Sequence, residues 1–198
     1  MAQIAMTFDD GPSAWSEPIA EIFATNGGRA TFFVIGSLAG ERRGVLRRLV
    51  AAGHEVGNHT WSHPWLARDC DDDRVREELS RTNAALTRLL GQTPRRFRAP
   101  HYDVDARVSA IAAELGLAHT RADITPPDWL PTASAAVIAT LVLARARPGA
   151  IVGLHDGVPP ASSTASSDRQ PTVDAVATVV PRLRASGFEL VTASELLG

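Results

Sequence analysis

Two adjacent carboxylates, Asp9 and Asp10, end a hydrophobic run and stand just before a Gly11-Pro12 turn. Taken alone, Asp-Asp-Gly-Pro is also an ordinary solvated turn, because Asp, Gly and Pro are common turn formers. In a closed site, neighbouring like charges raise each other's pKa unless something positive intervenes, so a single task does not suit both. A metal on one of them resolves the conflict. Downstream, Asn58-His59-Thr60-Trp61-Ser62-His63-Pro64 places two histidines four residues apart. On a helical turn, positions i and i+4 share a face, and both imidazoles reach one ion. Two histidines with one carboxylate leave a coordination position open for water, as a hydrolytic zinc site requires. The bland alternative is a pair of capping or core histidines. His54, ahead of a strand, and His119, inside one, read as structural.

All 20 basic residues are arginine, which removes Schiff-base and phosphate-cradling lysine mechanisms. The lone Cys70 cannot form an internal disulfide and reads as a packing or loop residue. A net charge of -2 offers no electrostatic footprint for nucleic acid or anionic lipid, so a neutral substrate fits better. No stretch approaches ~18 uninterrupted apolar residues, and no basic region followed by an apolar run opens the chain. The expected setting is cytoplasmic as the chain stands, or secreted or cell-wall-associated if an export signal has been removed. At 198 residues the chain suits one domain, 1–198, and a monomer is expected.

The elements that must position these residues alternate. Short β-branched or aromatic runs at 3–8, 30–35, 55–59, 96–99, 117–121, 150–155 and 188–191 read as strands. Between them, 17–25, 41–52, 72–90, 106–115, 133–145 and 173–185 have helical spacing. Gly53, Gly91, Gly116 and Gly187 follow such stretches, where a left-handed cap is expected. The Ser-, Ala- and Pro-rich segment 157–171 reads as a surface loop. Seven strand and helix units predict a single-domain α/β fold, a distorted or incomplete (β/α)7 barrel. Asp9 and Asp10, His59 and His63, Arg98 and His101, Asp123 and Asp128, and His155 with Asp156 would then all follow strands at the carboxyl end, where such folds carry their active sites.

The order Thr7-Phe8-Asp9-Asp10-Gly11-Pro12, His59 and His63, Arg98-Ala99-Pro100-His101, Asp128-Trp129, Leu154-His155 resembles the five motifs of the NodB-type polysaccharide deacetylases, the carbohydrate esterase family 4 group. The resemblance covers nearly the whole chain. Its first two motifs are highly specific, the fifth is short, and the third and fourth depart from the common form. It implies Asp9 as general base, with Asp10, His59 and His63 as ligands of one divalent ion. Zinc is the expected ion, with cobalt, manganese and nickel compatible with the same ligands. It also implies that Arg98 holds Asp9 charged, that His155 is the general acid, and that Asp128 supports it. Asp123 is the competing candidate for that support.

Many members carry tyrosine where this chain has His101, whose backbone N–H would complete an oxyanion hole. Tyr102 would then take part of the aromatic role, and Trp129, Trp61 and Trp65 are candidate walls or platforms for a sugar ring. The implied reaction is removal of N-acetyl groups from an N-acetylglucosamine oligosaccharide or polysaccharide, such as chitin or peptidoglycan. Rival readings are hydrolysis of acetylxylan, of a lipid-linked formamido sugar or of a cyclic imide, and a sugar-binding barrel without catalysis.

Overall fold

The computed structural model describes residues 1–160 and 167–198. Seven parallel strands form one sheet: β1 (Ala2–Gly11), β2 (Thr31–Val34), β3 (Glu55–Asn58), β4 (Arg96–Phe97), β5 (Ala118–His119), β6 (Ile151–His155) and β7 (Phe188–Val191). Their order is β5-β4-β3-β2-β1-β6, and β7 pairs with the first half of β1. Past β5, Ile124 bridges to Val152 of β6 in parallel, so the sheet curls nearly shut on a single bridge. The distorted barrel expected from the alternation is therefore present.

Period-two alternation in β1 explains both faces of the wall. Ile4, Met6 and Phe8 are fully buried in the core between sheet and helices, while Thr7 and Asp9 point inward to the polar interior. The same rule puts Phe32 and Val34 of β2 in the helix-facing core and turns Phe33 toward Arg98.

The surrounding helices are α1 (Ser16–Asn26), α2 (Gly36–Ala39), α3 (Arg43–Ala51), α4 (Leu66–Asp69), α5 (Asp72–Leu90), α6 (Ala106–Glu114), α7 (Ala135–Arg145), α8 (Gln170–Ala185) and α9 (Ala193–Leu197). In α5, Asp71 caps the first turn, and Val75, Glu78, Leu79, Thr82, Asn83 and Leu86 recur at three- and four-residue spacing on the buried face. The four expected cap glycines, Gly53, Gly91, Gly116 and Gly187, all have positive φ.

Several boundaries differ from the sequence reading. The helix expected at 41–52 is α3 (Arg43–Ala51), and ahead of it stands a short helix the sequence reading did not include, α2, whose Gly36 and Ser37 N–H groups are tied to the Thr60 and Trp61 carbonyls. Helix α8 starts at Gln170, not 173: Pro171 lies in its first turn, where its missing N–H costs nothing. The loop expected at 157–171 is correspondingly shorter, and its residues 161–166 lie outside the described residues. Among the described residues no helix is long and apolar enough to cross a membrane.

Candidate active site

Asp9, Asp10, His59, His63, His101, Tyr102, Trp129 and His155 line one pocket of about 420 Å³ at the carboxyl ends of the strands. A more voluminous groove of about 670 Å³ lies around His54, Gln92 and Arg95. Of its carboxylates, Glu55 is spent on Thr31 and Ser194 and Glu195 on Arg29 and Thr192, and among the described residues it gathers no acid, base and ligand set.

Asp10, His59 and His63 offer one ligand atom each, all within 4.8 Å of one another. Asp10 Oδ1 lies 3.3 Å from His59 Nε2 and 3.1 Å from His63 Nε2. Ligand atoms about 2.1 Å from a shared ion at tetrahedral angles lie about 3.4 Å apart, so the spacing fits a zinc-sized ion. The donor chemistry fits too. His59 Nδ1 is 2.8 Å from the Arg98 carbonyl, which only accepts, so the ring proton sits there and Nε2 presents a lone pair to the ion. Burial alone would push the Asp10 carboxyl up, but the imidazoles of His59 and His63 beside its Oδ1 hold it well below the usual carboxylate range. Among the described residues that buried oxygen has no hydrogen-bond partner of its own, as suits a ligand atom for an ion.

The histidines do not reach this geometry from a helical turn. His59 directly follows β3, α4 begins only at Leu66, and Thr60 and His63 are both left-handed, at φ 65° and 65°. Asn58 Oδ1 accepts the Thr60 N–H at 2.8 Å, and Thr60 Oγ1 accepts that of His63 at 3.1 Å, so side chains replace the helix ladder. Buried Glu78 on α5 fastens the same loop, accepting from the Trp61 and Ser62 N–H groups and the Ser62 hydroxyl within 2.8 Å. The non-glycine residues with positive φ among the described residues are Asp10, Thr60, His63, His101 and Tyr102. Every one of them is at this site, which is where backbone strain is retained when function over-determines it.

Asp9 has a partner of its own, distinct from those of Asp10. Arg98, fully buried, donates from Nη1 to Asp9 Oδ1 at 2.9 Å and to Thr7 Oγ1 at 2.7 Å, and from Nε to the Thr120 carbonyl at 3.0 Å. Its guanidinium lies 4.3 Å over the Phe33 ring. The guanidinium is thereby fixed in position and orients the carboxylate.

On the neighbouring strand His155 is the register partner of Asp9, so their side chains leave the sheet on the same face. Asp128 Oδ1 lies 2.7 Å from His155 Nδ1, and Asp128 Oδ2 accepts the His155 backbone N–H at 2.8 Å. A carboxylate only accepts, so Nδ1 carries its proton and Nε2 faces the pocket. Burial opposes the charge on the imidazole, yet the Asp128 carboxylate outweighs it and raises His155 to about 9.

Asp123 does not join the site. Its carboxylate accepts from Ile151 N at the start of β6 and pairs with Arg147 at 3.4 Å, so it marks the opposite end of that strand. The reason is local: after β5 the chain bends back to make the Ile124 bridge, and only then climbs to Asp128. Two of the three tryptophans lie outside the lining of the pocket. Trp61 has the Arg81 guanidinium 3.9 Å over its ring, and Trp65 carries Arg68 at 4.2 Å and stacks on His101 at 3.9 Å. Trp129, 37% exposed and edge-on to His155, remains available to a ligand. His101 also stands edge-on to His63, and burial with His63 beside it pulls its imidazole down to about 4. No described hydrogen bond uses the His101 N–H. Tyr102 lines the pocket, and a Cβ at Gly153 would meet Ala122 Cβ at 2.8 Å and the Tyr102 hydroxyl at 3.0 Å, so a larger residue there would crowd both. His54 and His119 pack against Phe32 and Phe97, as expected, and burial lowers both to about 4.

Sequence reasoning missed Glu78, Thr172 and the work of Asp156. Glu78 was visible as a carboxylate on the apolar stripe of a helix. Asp156, fully buried and pushed up to about 7 chiefly by that burial, accepts from the hydroxyl of Ser16 and lies against Gly11. Next to it, Gly157 must be glycine, because a Cβ would come within 2.1 Å of the Asp10 carbonyl.

A family model described as "Polysaccharide deacetylase" matches residues 2–120. The chain is 38% identical over 192 residues to a chitooligosaccharide deacetylase of Bradyrhizobium sp. (strain ANU 289), covering 94% of this chain and 87% of that one. It is 32% identical to the peptidoglycan-N-acetylglucosamine deacetylase PgdA of Listeria monocytogenes, covering 99% of this chain and 39% of that protein. Among solved structures, a family 4 acetyl xylan esterase from Clostridium thermocellum, in complex with a cobalt ion, superposes with a TM-score of 0.86 at 32% identity, over 98% of this chain and 89% of that one.

Proposed function

The chain belongs to the polysaccharide deacetylase family, and from that premise we propose that it removes the acetyl group from N-acetylglucosamine units of a chitooligosaccharide or peptidoglycan strand, using a divalent ion, zinc foremost, held by Asp10, His59 and His63. The observation that carries the reading is one pocket with a base and an acid on register-paired residues, Asp9 and His155, beside the three-ligand cluster.

A bound ion supplies a Lewis acid that polarises the acetamide carbonyl and lowers the pKa of an attacking water. Asp9, aimed by Arg98, takes the proton of that water as the oxygen attacks the carbonyl carbon. The His101 N–H is the free backbone donor at the mouth for the developing oxyanion. His155 Nε2 gives a proton to the amine nitrogen as the C–N bond breaks, and acetic acid and the free amino sugar leave, the acid passing its proton to solvent to become acetate. Transfer of the Asp9 proton back to His155 closes the cycle. The ring of Trp129 offers the sugar an apolar edge.

The acid favours an amide over an ester. An amine leaves only once protonated, whereas an alkoxide is a better leaving group, and the His155–Asp128 pair keeps an imidazolium available at neutral pH. The acetyl xylan esterase with the same fold makes the ester the reading to test against. Acetate release should be measured on chitooligosaccharides, peptidoglycan fragments and acetylated xylan under one condition. The expected result is kcat/KM at least ~10-fold higher on an N-acetyl substrate, a preference of about 1.4 kcal/mol. Turnover confined to acetylated xylan would overturn the amide assignment, and none on any of the three would overturn the catalytic reading.

A further inference from the structure

The geometry points to Thr172 as a positioning residue that aims the Asp128 carboxylate at His155, making the acid of this site a three-member chain drawn from three distant segments. The inference rests on the functional reading above. Thr172 is fully buried in the first turn of α8, and its Oγ1 lies 2.9 Å from Asp128 Oδ2. Because an ionised carboxylate has no proton to give, the hydroxyl is the donor.

Three donors thus converge on one buried carboxylate. Oδ1 takes the His155 ring N–H, and Oδ2 takes the His155 main-chain N–H and the Thr172 hydroxyl. The main-chain bond fixes the distance of Asp128 from β6. The Thr172 bond comes from a different element and fixes the rotation of the carboxyl group, which decides whether Oδ1 faces Nδ1. The same turn of α8 has a second hold on the site: Arg169 Nε donates at 2.8 Å to the carbonyl of Gly157, the residue pressed against the Asp10 backbone. The start of α8 therefore braces the acid side and the ligand side together.

Removing one donor to a buried charge leaves an acceptor unsatisfied and the carboxylate free to turn. Thr172→Val keeps the shape and removes the hydroxyl, and Thr172→Ser keeps the hydroxyl and removes a methyl. On an N-acetylchitooligosaccharide, Thr172→Val is expected to lower kcat about 10-fold with KM and bound metal unchanged, and Thr172→Ser to stay within about twofold of the parent protein. In an Asp128→Asn background, Thr172→Val is expected to cost nothing further, because it acts only through that carboxylate. A merely structural threonine would give additive losses, or a lower melting temperature with kcat intact, and either result overturns the inference.

A second readout does not need turnover. The hydrogen-bonded Nδ1 proton of His155, identified by NMR from its loss in Asp128→Asn, is expected to broaden in Thr172→Val and return in Thr172→Ser. An unchanged resonance in Thr172→Val overturns the positioning role. Absence of acetate release from the parent protein would instead fail the functional reading, and the NMR comparison then decides this inference alone.

Discussion

Asp9→Asn is expected to keep one ion bound per chain while kcat for acetate release falls by roughly 10²–10⁴-fold, the usual worth of a positioned general base. Asparagine is close in shape, and its amide oxygen can still accept the Arg98 Nη1 proton that Asp9 Oδ1 now takes at 2.9 Å. What it lacks is a lone pair basic enough to take a proton from water. Arg98, buried and deprived of its counter-charge, retains the Thr7 hydroxyl and the Thr120 carbonyl, so the fold should survive with some loss of stability. Asp10→Asn should behave in the opposite order, losing the ion first and activity as a consequence. Metal content by elemental analysis beside kcat separates the two. Ion loss in Asp9→Asn with retention in Asp10→Asn would mean that the roles of the pair are reversed.

Asp128→Asn is expected to lower kcat and to move the basic limb of the pH profile down. With Asp128 charged, His155 holds its proton up to about 9, so the acid form is present at neutral pH and the rate falls as pH rises through that value. An asparagine can still serve the main-chain N–H and Thr172 with its oxygen, but this turns its NH2 toward Nδ1. Nδ1 must then accept, and the imidazole is driven to its neutral form. Burial is then opposed only by the lesser pull of Asp10 and Asp9, so the limb should drop toward the ordinary histidine value of about 6.5. The sign for stability is the same. A histidine whose pKa is raised on folding contributes stability that is complete below about 6.5 and lost as pH rises through about 9. The parent protein and Asp128→Asn should therefore differ most in melting temperature at neutral or mildly acidic pH and converge above 9. An unchanged limb in Asp128→Asn would remove the pair from the acid's role.

The wall of the barrel was legible because burial on both faces of parallel strands leaves short hydrophobic runs, and helices between them carry a different period. All seven runs are strands, although β4 and β5 shrink to two residues each, since the chain there departs early to build the His101 and Ile124 segments. Asp9, Asp10, His59, His63, Arg98, Asp128 and His155 converge as their motif order implied. Less legible was how they converge. The His59–His63 spacing suggested a helical turn, whereas the chain uses left-handed residues stapled by Asn58, Thr60 and Glu78, contacts made by side chains across long sequence separations. Thr172 escaped notice because nothing local distinguishes it. Its role appears only once α8 is docked against the segment carrying Asp128. Trp65 illustrates the converse, a candidate platform by residue type that lies outside the pocket lining, stacked on His101 with Arg68 over its ring.

The proposed chemistry depends on an ion held by the cluster of Asp10, His59 and His63. The most direct measurement is acetate release from an N-acetylchitooligosaccharide by protein stripped with a chelator, then titrated with zinc while activity and bound ion are followed together. The stripped protein should release no acetate, and activity should return in proportion to bound ion and saturate at one per chain. Full activity in the stripped, metal-free protein would contradict the assignment.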